Sequence, residues 1–330
     1  MTHTYRRHPT RGEDLLDFSP WDCARWSINK LMCDRVANYF ADSDSDFDKR
    51  TYSKLKRCCD RISFYRDYTE PEGGRYPHKL LYANFCHQRT CLLCQGRLAN
   101  KWRKRLNRGI PKVERMYPGY RWVFLTLTVK NVPVTELNQT IRYLHSAWTK
   151  LSLYGRDPRV RKFRHKPFPA PGWIKSLEVS YGAGGTAHPH IHALLFLPPR
   201  YFKPGNKYDW THADWTAAWR RSLKTDYDPI LWLTPIKEDK TGLSKVCEVA
   251  KYITKPSDLS IDGAWTREYA SQLHGCQLKA IGGVAFAGNP DLAPPRDDED
   301  LIQKRNAVAM TDERTRFNWD GDRQGYSLQS

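Results

Sequence analysis

No stretch of this 330-residue chain is apolar enough to cross a bilayer: its longest apolar run, residues 193–197, falls far short of the roughly 20 residues a spanning helix needs. Residues 1–14 are polar and charged, and no apolar signal core follows them. These absences set the expectation of a cytoplasmic protein with no membrane partner. Internal repeats are absent as well. Acidic residues are scarce, 36 Asp+Glu against 54 Lys+Arg, which leaves a formal net charge of +18. A globular chain this basic is expected to meet a polyanion, nucleic acid foremost. In a reducing compartment the nine cysteines should not form structural disulfides, and those that cluster read as metal ligands.

What is present supports a real core: 40% of residues are apolar and 13% aromatic. The length allows one large domain or two smaller ones. Residues 1–48 read as a helical arm ended by the polar run Asp42-Ser43-Asp44-Ser45-Asp46. Residues 49–110 form a basic, cysteine-bearing module, with 16 Lys+Arg against four Asp+Glu between Lys49 and Arg108. Its second half, residues 96–108, reads as a basic helix, and Arg97, Lys101, Arg103, Lys104 and Arg105 are its candidate phosphate contacts. Residues 111–289 alternate strand and helix patterns. Strands are expected at 120–129, 173–181, 189–197 and 230–236, and helices at 134–151, 211–224 and 244–255. The loop Gly182-Ala183-Gly184-Gly185 predicts a hairpin between the second and third strands. Residues 290–330 are polar and mixed in charge and read as a loose tail.

Three clusters carry chemistry. Cys86, Cys91 and Cys94 fall within nine residues, and Cys91-x-x-Cys94 has the spacing of a zinc knuckle, where two thiolates on a tight turn reach one tetrahedral ion. Cys58, Cys59 and His87 are the candidates for a fourth ligand. Cys58 is favoured because it ties two distant segments together. With no open position, such a Zn²⁺ site would be structural. The second cluster is His188-Pro189-His190-Ile191-His192. On a strand, His190 and His192 project to one face while Ile191 enters the core. Two imidazoles want an oxygen ligand to hold Mg²⁺ or Mn²⁺, and Glu178, on the neighbouring strand, is the donor. His188 is placed as an accessory, because Pro189 interrupts the strand beside it. The third cluster is Glu248, Tyr252 and Lys255, which share one face of a helix at i, i+4 and i+7. A tyrosine oxygen can attack a metal-polarised phosphodiester, and a nearby ammonium favours the phenolate.

Together these motifs resemble the HUH endonucleases, and within them the rolling-circle replication initiators (Rep proteins) of small bacterial plasmids. The resemblance covers about residues 55 to 285. It runs in family order through the cysteine module, Phe124-Leu125-Thr126-Leu127-Thr128, His188-Pro189-His190-Ile191-His192 and Tyr252-Ile253-Thr254-Lys255. The resemblance implies an α+β fold, a ferredoxin-like (RRM-like), mainly antiparallel sheet with helices on one face and the metal site on the other. It implies an enzyme that nicks one DNA strand at an origin, links Tyr252 to a 5′-phosphate and frees a 3′-hydroxyl primer. Host helicase and polymerase are the implied partners. Tyr252 has no second tyrosine one turn away; Glu248 stands there, matching the position of a glutamate that activates water for the terminating cut. An HUH transposase shares this chemistry, and a zinc-dependent DNA-binding regulator that does not cut is the alternative from another class.

Overall fold

A computed structural model describes residues 20–66, 78–153, 166–205, 208–236, 257–283, 286–292 and 314–328. The chain divides into two compact units, residues 1–97 with 298–330, and residues 98–297.

The first unit is a four-stranded antiparallel sheet with helices. Its helices are α1 (Pro20–Asn38) and α2 (Asp46–Arg57). Its strands are β1 (Arg61–Arg66), β2 (His78–Ala83), β9 (Arg314–Asp320) and β10 (Gly325–Leu328), in the order β10-β9-β1-β2. Two expectations are corrected here. The tail is not loose over its last part: β9 pairs with β1 in register Ile62↔Phe317, and Phe317 is fully buried. The arm is not a separate piece either, since Cys33, Val36, Ala37 and Phe40 are buried and α1 packs on α2. The physical reason is the same for both. The two early strands, six residues each with few apolar residues of their own, must borrow core from elsewhere, and the arm and tail supply it. The polar composition of the tail concealed a strand whose alternate residues, Thr315 and Phe317, point inward.

The second unit is built on an antiparallel sheet. Its strands are β3 (Arg121–Thr128), the short β4 (Val132–Pro133), β5 (Gly172–Gly182), β6 (Thr186–Leu197), β7 (Leu231–Pro235) and β8 (Lys279–Gly282). The order is β7-β3-β6-β5-β8, with β4 pairing β6 beyond the end of β3. The expected hairpin joins β5 to β6, with Gly182 opposite Thr186 and with Gly184 and Gly185 at φ +68° and +75°, a left-handed turn that glycine adopts without steric cost. Pro189 does not break β6. It falls between the last β3 pair, Thr128↔His190, and the β4 pair, Val132↔Ala187, so on that side no partner needs its missing N–H.

Helix α4 (Leu137–Ser152) lies on the face carrying Leu177, Ile191, Ala193 and Leu195, with Trp148 against Trp173. Helices α5 (His212–Leu223) and α6 (Gly263–Gln272) pack against it. Thr211 caps α5 through a capping box with Asp214. The implied placing of all helices on one face needs correcting. The part of α3 (Leu92–Met116) from residue 98 onward covers the opposite face, where Trp102, Leu106, Ile110 and Val113 meet Ile174, Leu194 and Phe196. Those sheet residues are too apolar to face water, so that end of the face demands a cover.

Candidate metal centre and cysteine cluster

The end of that same face that no described helix covers is polar. Strand alternation places His190, His192, Glu178, Thr126 and Thr128 on it, with Glu178 opposite His190 and Thr126 opposite His192. The Nε2 atoms of both histidines converge on one carboxylate oxygen. Glu178 Oε2 lies 3.0 Å from His192 Nε2 and 3.6 Å from His190 Nε2. One ligand atom from each residue lies within 4.8 Å of the other two. Burial pushes the Glu178 carboxyl up, but the hydrogen bonds and charges of the two imidazoles outweigh it and hold the group well below the usual carboxylate range.

The far side of each ring is also engaged. His192 Nδ1 lies 3.1 Å from Thr126 Oγ1, and His190 Nδ1 lies 3.2 Å from the carbonyl oxygen of His188. With an N–H on Nδ1 bonded to these oxygens, each Nε2 would be free to ligate a cation shared with the Glu178 carboxylate. Two imidazole nitrogens and one carboxylate oxygen on a rigid sheet fit a divalent cation and leave coordination positions open. His188 is not in this set: its Nδ1 bonds Asn131 Oδ1 at 2.6 Å. Phe124 stacks on His192 with ring centres 5.2 Å apart, closing the apolar side. On the open side, the edge strand β7 places Trp232 opposite Thr126 on the same face, and its side chain is 56% exposed. Sequence reading missed Thr126, Asn131 and Trp232 as site residues. The period-two alternation of the motif strand was the signal for Thr126; for Trp232 the pairing of β7 with β3 had to be known.

The four cysteines Cys58, Cys86, Cys91 and Cys94 bring their sulfurs within 4.8 Å of one another. Measured edges are 3.5 Å for Cys91–Cys58, 3.6 Å for Cys58–Cys94 and 3.7 Å for Cys86–Cys94. A tetrahedron of sulfurs about 2.3 Å from a zinc ion has edges of about 3.8 Å, so the set fits that ion. Backbone N–H groups of His87 and Cys94 point at Cys94 Sγ and Cys91 Sγ, at 3.3 and 3.5 Å. His87 itself is exposed and takes the left-handed backbone conformation (φ +57°) that lets its N–H turn inward. Hydrogen bonds from Cys59, Cys86, Cys91 and Cys94 pull the Cys58 thiol far down, while burial pushes Cys91 up and hydrogen bonds to Cys58 push Cys86 and Cys94 up. Four sulfurs this close cannot all ionise unless a cation balances them.

On α3, Arg103 and Lys104 are exposed, and Arg97, Lys101 and Arg105 are half-buried. Arg108 and Lys112, by contrast, are held by Asp291, Lys112 at 2.6 Å. Glu248, Tyr252 and Lys255 lie outside the described residues, as does the 244–255 helix expected to carry them. Among the described residues no helix is long and apolar enough to cross a membrane.

Comparison with known proteins places the chain. A protein called Protein rep from Streptococcus pneumoniae is 27% identical over 318 residues, covering 92% of each chain. Proteins of the same name from Lactiplantibacillus plantarum and Bacillus amyloliquefaciens are each 32% identical, over 241 and 254 residues, covering 71% of this chain and 69% and 70% of theirs. No solved structure matches the chain significantly. The family model Rep_1, described as Replication protein, matches residues 77–327, a span that holds the histidine–glutamate site, three of the four clustered cysteines and the C-terminal strands, and this chain therefore belongs to that family of replication proteins.

Proposed function

We propose that this protein starts rolling-circle replication of a plasmid by cutting one strand of its origin, with Tyr252 as nucleophile, inside an HUH-type, ferredoxin-like domain. The observation that carries this reading is the convergence of His190 Nε2, His192 Nε2 and Glu178 Oε2 on the open end of an antiparallel sheet in a replication protein. A bound Mg²⁺ or Mn²⁺ would polarise the scissile phosphodiester. The Tyr252 oxygen bonds to phosphorus as the phosphorus–3′-oxygen bond breaks. The departing oxygen takes up a proton and becomes the primer hydroxyl from which host helicase and polymerase proceed. Lys255 favours the phenolate, since a tyrosine hydroxyl otherwise ionises only near pH ~10. Glu248 draws a proton from water for the terminating cut, so that no second tyrosine is needed. Trp232 offers its exposed ring to a base beside the scissile phosphate, and the basic face of α3 grips the backbone. Cys58, Cys86, Cys91 and Cys94 hold a structural Zn²⁺ in the first unit.

The test is incubation of supercoiled origin plasmid with the protein and Mn²⁺. The expected product is a relaxed circle whose 5′ end is joined to protein, lost in Tyr252→Phe. Glu248→Ala should keep the first cut and lose termination. Retardation without any cleavage would favour the non-cutting regulator and overturn the nicking reading. Strand transfer of a mobile element's ends in place of origin nicking would favour the transposase.

A further inference from the structure

Two more buried thiols border the four-cysteine set. Cys33, from α1, has its sulfur 3.6 Å from that of Cys91. Cys59 has its sulfur 3.7 Å from that of Cys58. Both side chains are fully buried. These two spacings equal the edges inside the four-cysteine set, which run from 3.5 to 3.7 Å. Cys58 and Cys91, 3.5 Å apart, are the two sulfurs that the outer thiols touch: Cys33 meets Cys91, Cys59 meets Cys58, and Cys94 meets both Cys58 and Cys86.

Cys59 reaches its place at a conformational cost. Its backbone is left-handed (φ +58°), a region that a residue with a Cβ enters only against steric resistance. Its N–H bonds the Asn84 carbonyl, and its own carbonyl accepts from the buried Tyr326 hydroxyl at 2.8 Å, so the conformation is held from two sides. A cysteine kept only as a small apolar filler needs no such arrangement.

We propose that the first unit holds two zinc ions rather than one, in a six-thiolate cluster where Cys58 and Cys91 bridge the ions, Cys86 and Cys94 complete one tetrahedron, and Cys33 and Cys59 complete the other. This deepens the reading that the four cysteines bind zinc, and rests on it. Charge permits the step. Six thiolates around two dications carry the same net charge as four thiolates around one, so recruiting Cys33 and Cys59 buries no further net charge. The buried ammonium of Lys30, held by Asp34 and Asp60 at 3.2 and 3.0 Å, lies in the same core. The second ion would fasten α1, which has no other metal-ligating residue in the cluster, to the cysteine module.

Native mass spectrometry of the intact, full-length protein, with elemental zinc measured on the same sample, decides the matter. Two zinc ions per chain are expected, and one in Cys33→Ser and in Cys59→Ser. Substitution with ¹¹³Cd should give two resonances in the wild-type protein, a readout that does not depend on the variants folding. One ion and one resonance would overturn the two-ion cluster and leave the four-cysteine site standing. No bound metal at all would overturn both.

Discussion

Thr126 Oγ1 sits 3.1 Å from Nδ1 of His192, on the side of the ring opposite Glu178. When it accepts from Nδ1–H, the hydroxyl holds the ring with Nε2 free for a cation. Thr126→Val keeps the shape and removes that partner. It should weaken Mn²⁺ binding at this site by about 10- to 100-fold, with Thr126→Ser restoring most of it. Calorimetric titration checks the affinity; unchanged affinity in the valine variant would remove Thr126 from the positioning role.

The donor set also ranks the cations. Two imidazoles suit Mn²⁺ better than Mg²⁺, which prefers oxygen ligands and sheds water reluctantly. Half-maximal nicking should need at least about tenfold less Mn²⁺ than Mg²⁺. His192→Ala should lose activity by two orders of magnitude or more in either metal, on the order of 3 kcal/mol in the barrier. A metal titration of nicking rate distinguishes these outcomes.

Trp232 projects from an edge strand with more than half its surface exposed, so its removal should leave the fold intact. Trp232→Ala should weaken binding of a single-stranded origin oligonucleotide by about 1–3 kcal/mol, and Trp232→Phe by less. Fluorescence anisotropy with a labelled oligonucleotide measures the difference. Equal binding by all three proteins would take Trp232 out of the DNA path.

Lys175, buried, and His145, half-buried, form a pair on the helix-covered face that gives a pH signature. Lys175 Nζ lies 2.8 Å from His145 Nδ1. Burial, then the Lys175 charge, lowers His145 from 6.5 to about 4, and burial lowers Lys175 from 10.5 to about 8. Both are bases with folded values below their unfolded ones, so the unfolded chain binds more protons in each interval and stability rises with pH there. The His145 contribution is complete above pH 6.5 and is lost as pH falls toward 4. After allowance for the partial exposure of His145, the loss is on the order of 1–2 kcal/mol. Thermal melts between these pH values should show a shallower decline for His145→Gln than for the wild-type protein.

Phe317 has no exposed surface and its ring meets Phe64 at 6.3 Å. Phe317→Ala should cost about 3–5 kcal/mol in the first unit. Urea denaturation followed by zinc release reports it; release at an unchanged urea concentration would mean that the tail strand adds nothing to that unit.

Much of this was legible from residue order. The motif strands, their hairpin and the His190–His192–Glu178 face followed from period-two alternation, which survives without knowledge of partners. The cysteine set beyond Cys86, Cys91 and Cys94 was harder. Three candidates stood for the fourth ligand, and the exposure of His87 with the position of Cys58 became apparent only when α2 and the knuckle were placed. Cys33 gave no signal at all, since nothing in spacing links it to Cys91, 58 residues away. The strands of 314–328 were misread as a loose tail because their inward residues are few and their partner strand lies over 250 positions earlier. The cover that α3 lays on the metal-side face was hidden because its basic composition dominated its four apolar positions.

The pairing of Ile62 with Phe317 has a consequence for synthesis. During translation β1 emerges early and must wait, edge unsatisfied, while the whole of residues 98–297 is made. Its partner β9 leaves the ribosome only after that, followed by the Tyr326 hydroxyl that seals Cys59. Long-range pairing of this kind is slow and late. A nascent chain halted before residue 314 therefore cannot complete the four-stranded sheet, however much of its histidine–glutamate site it already carries.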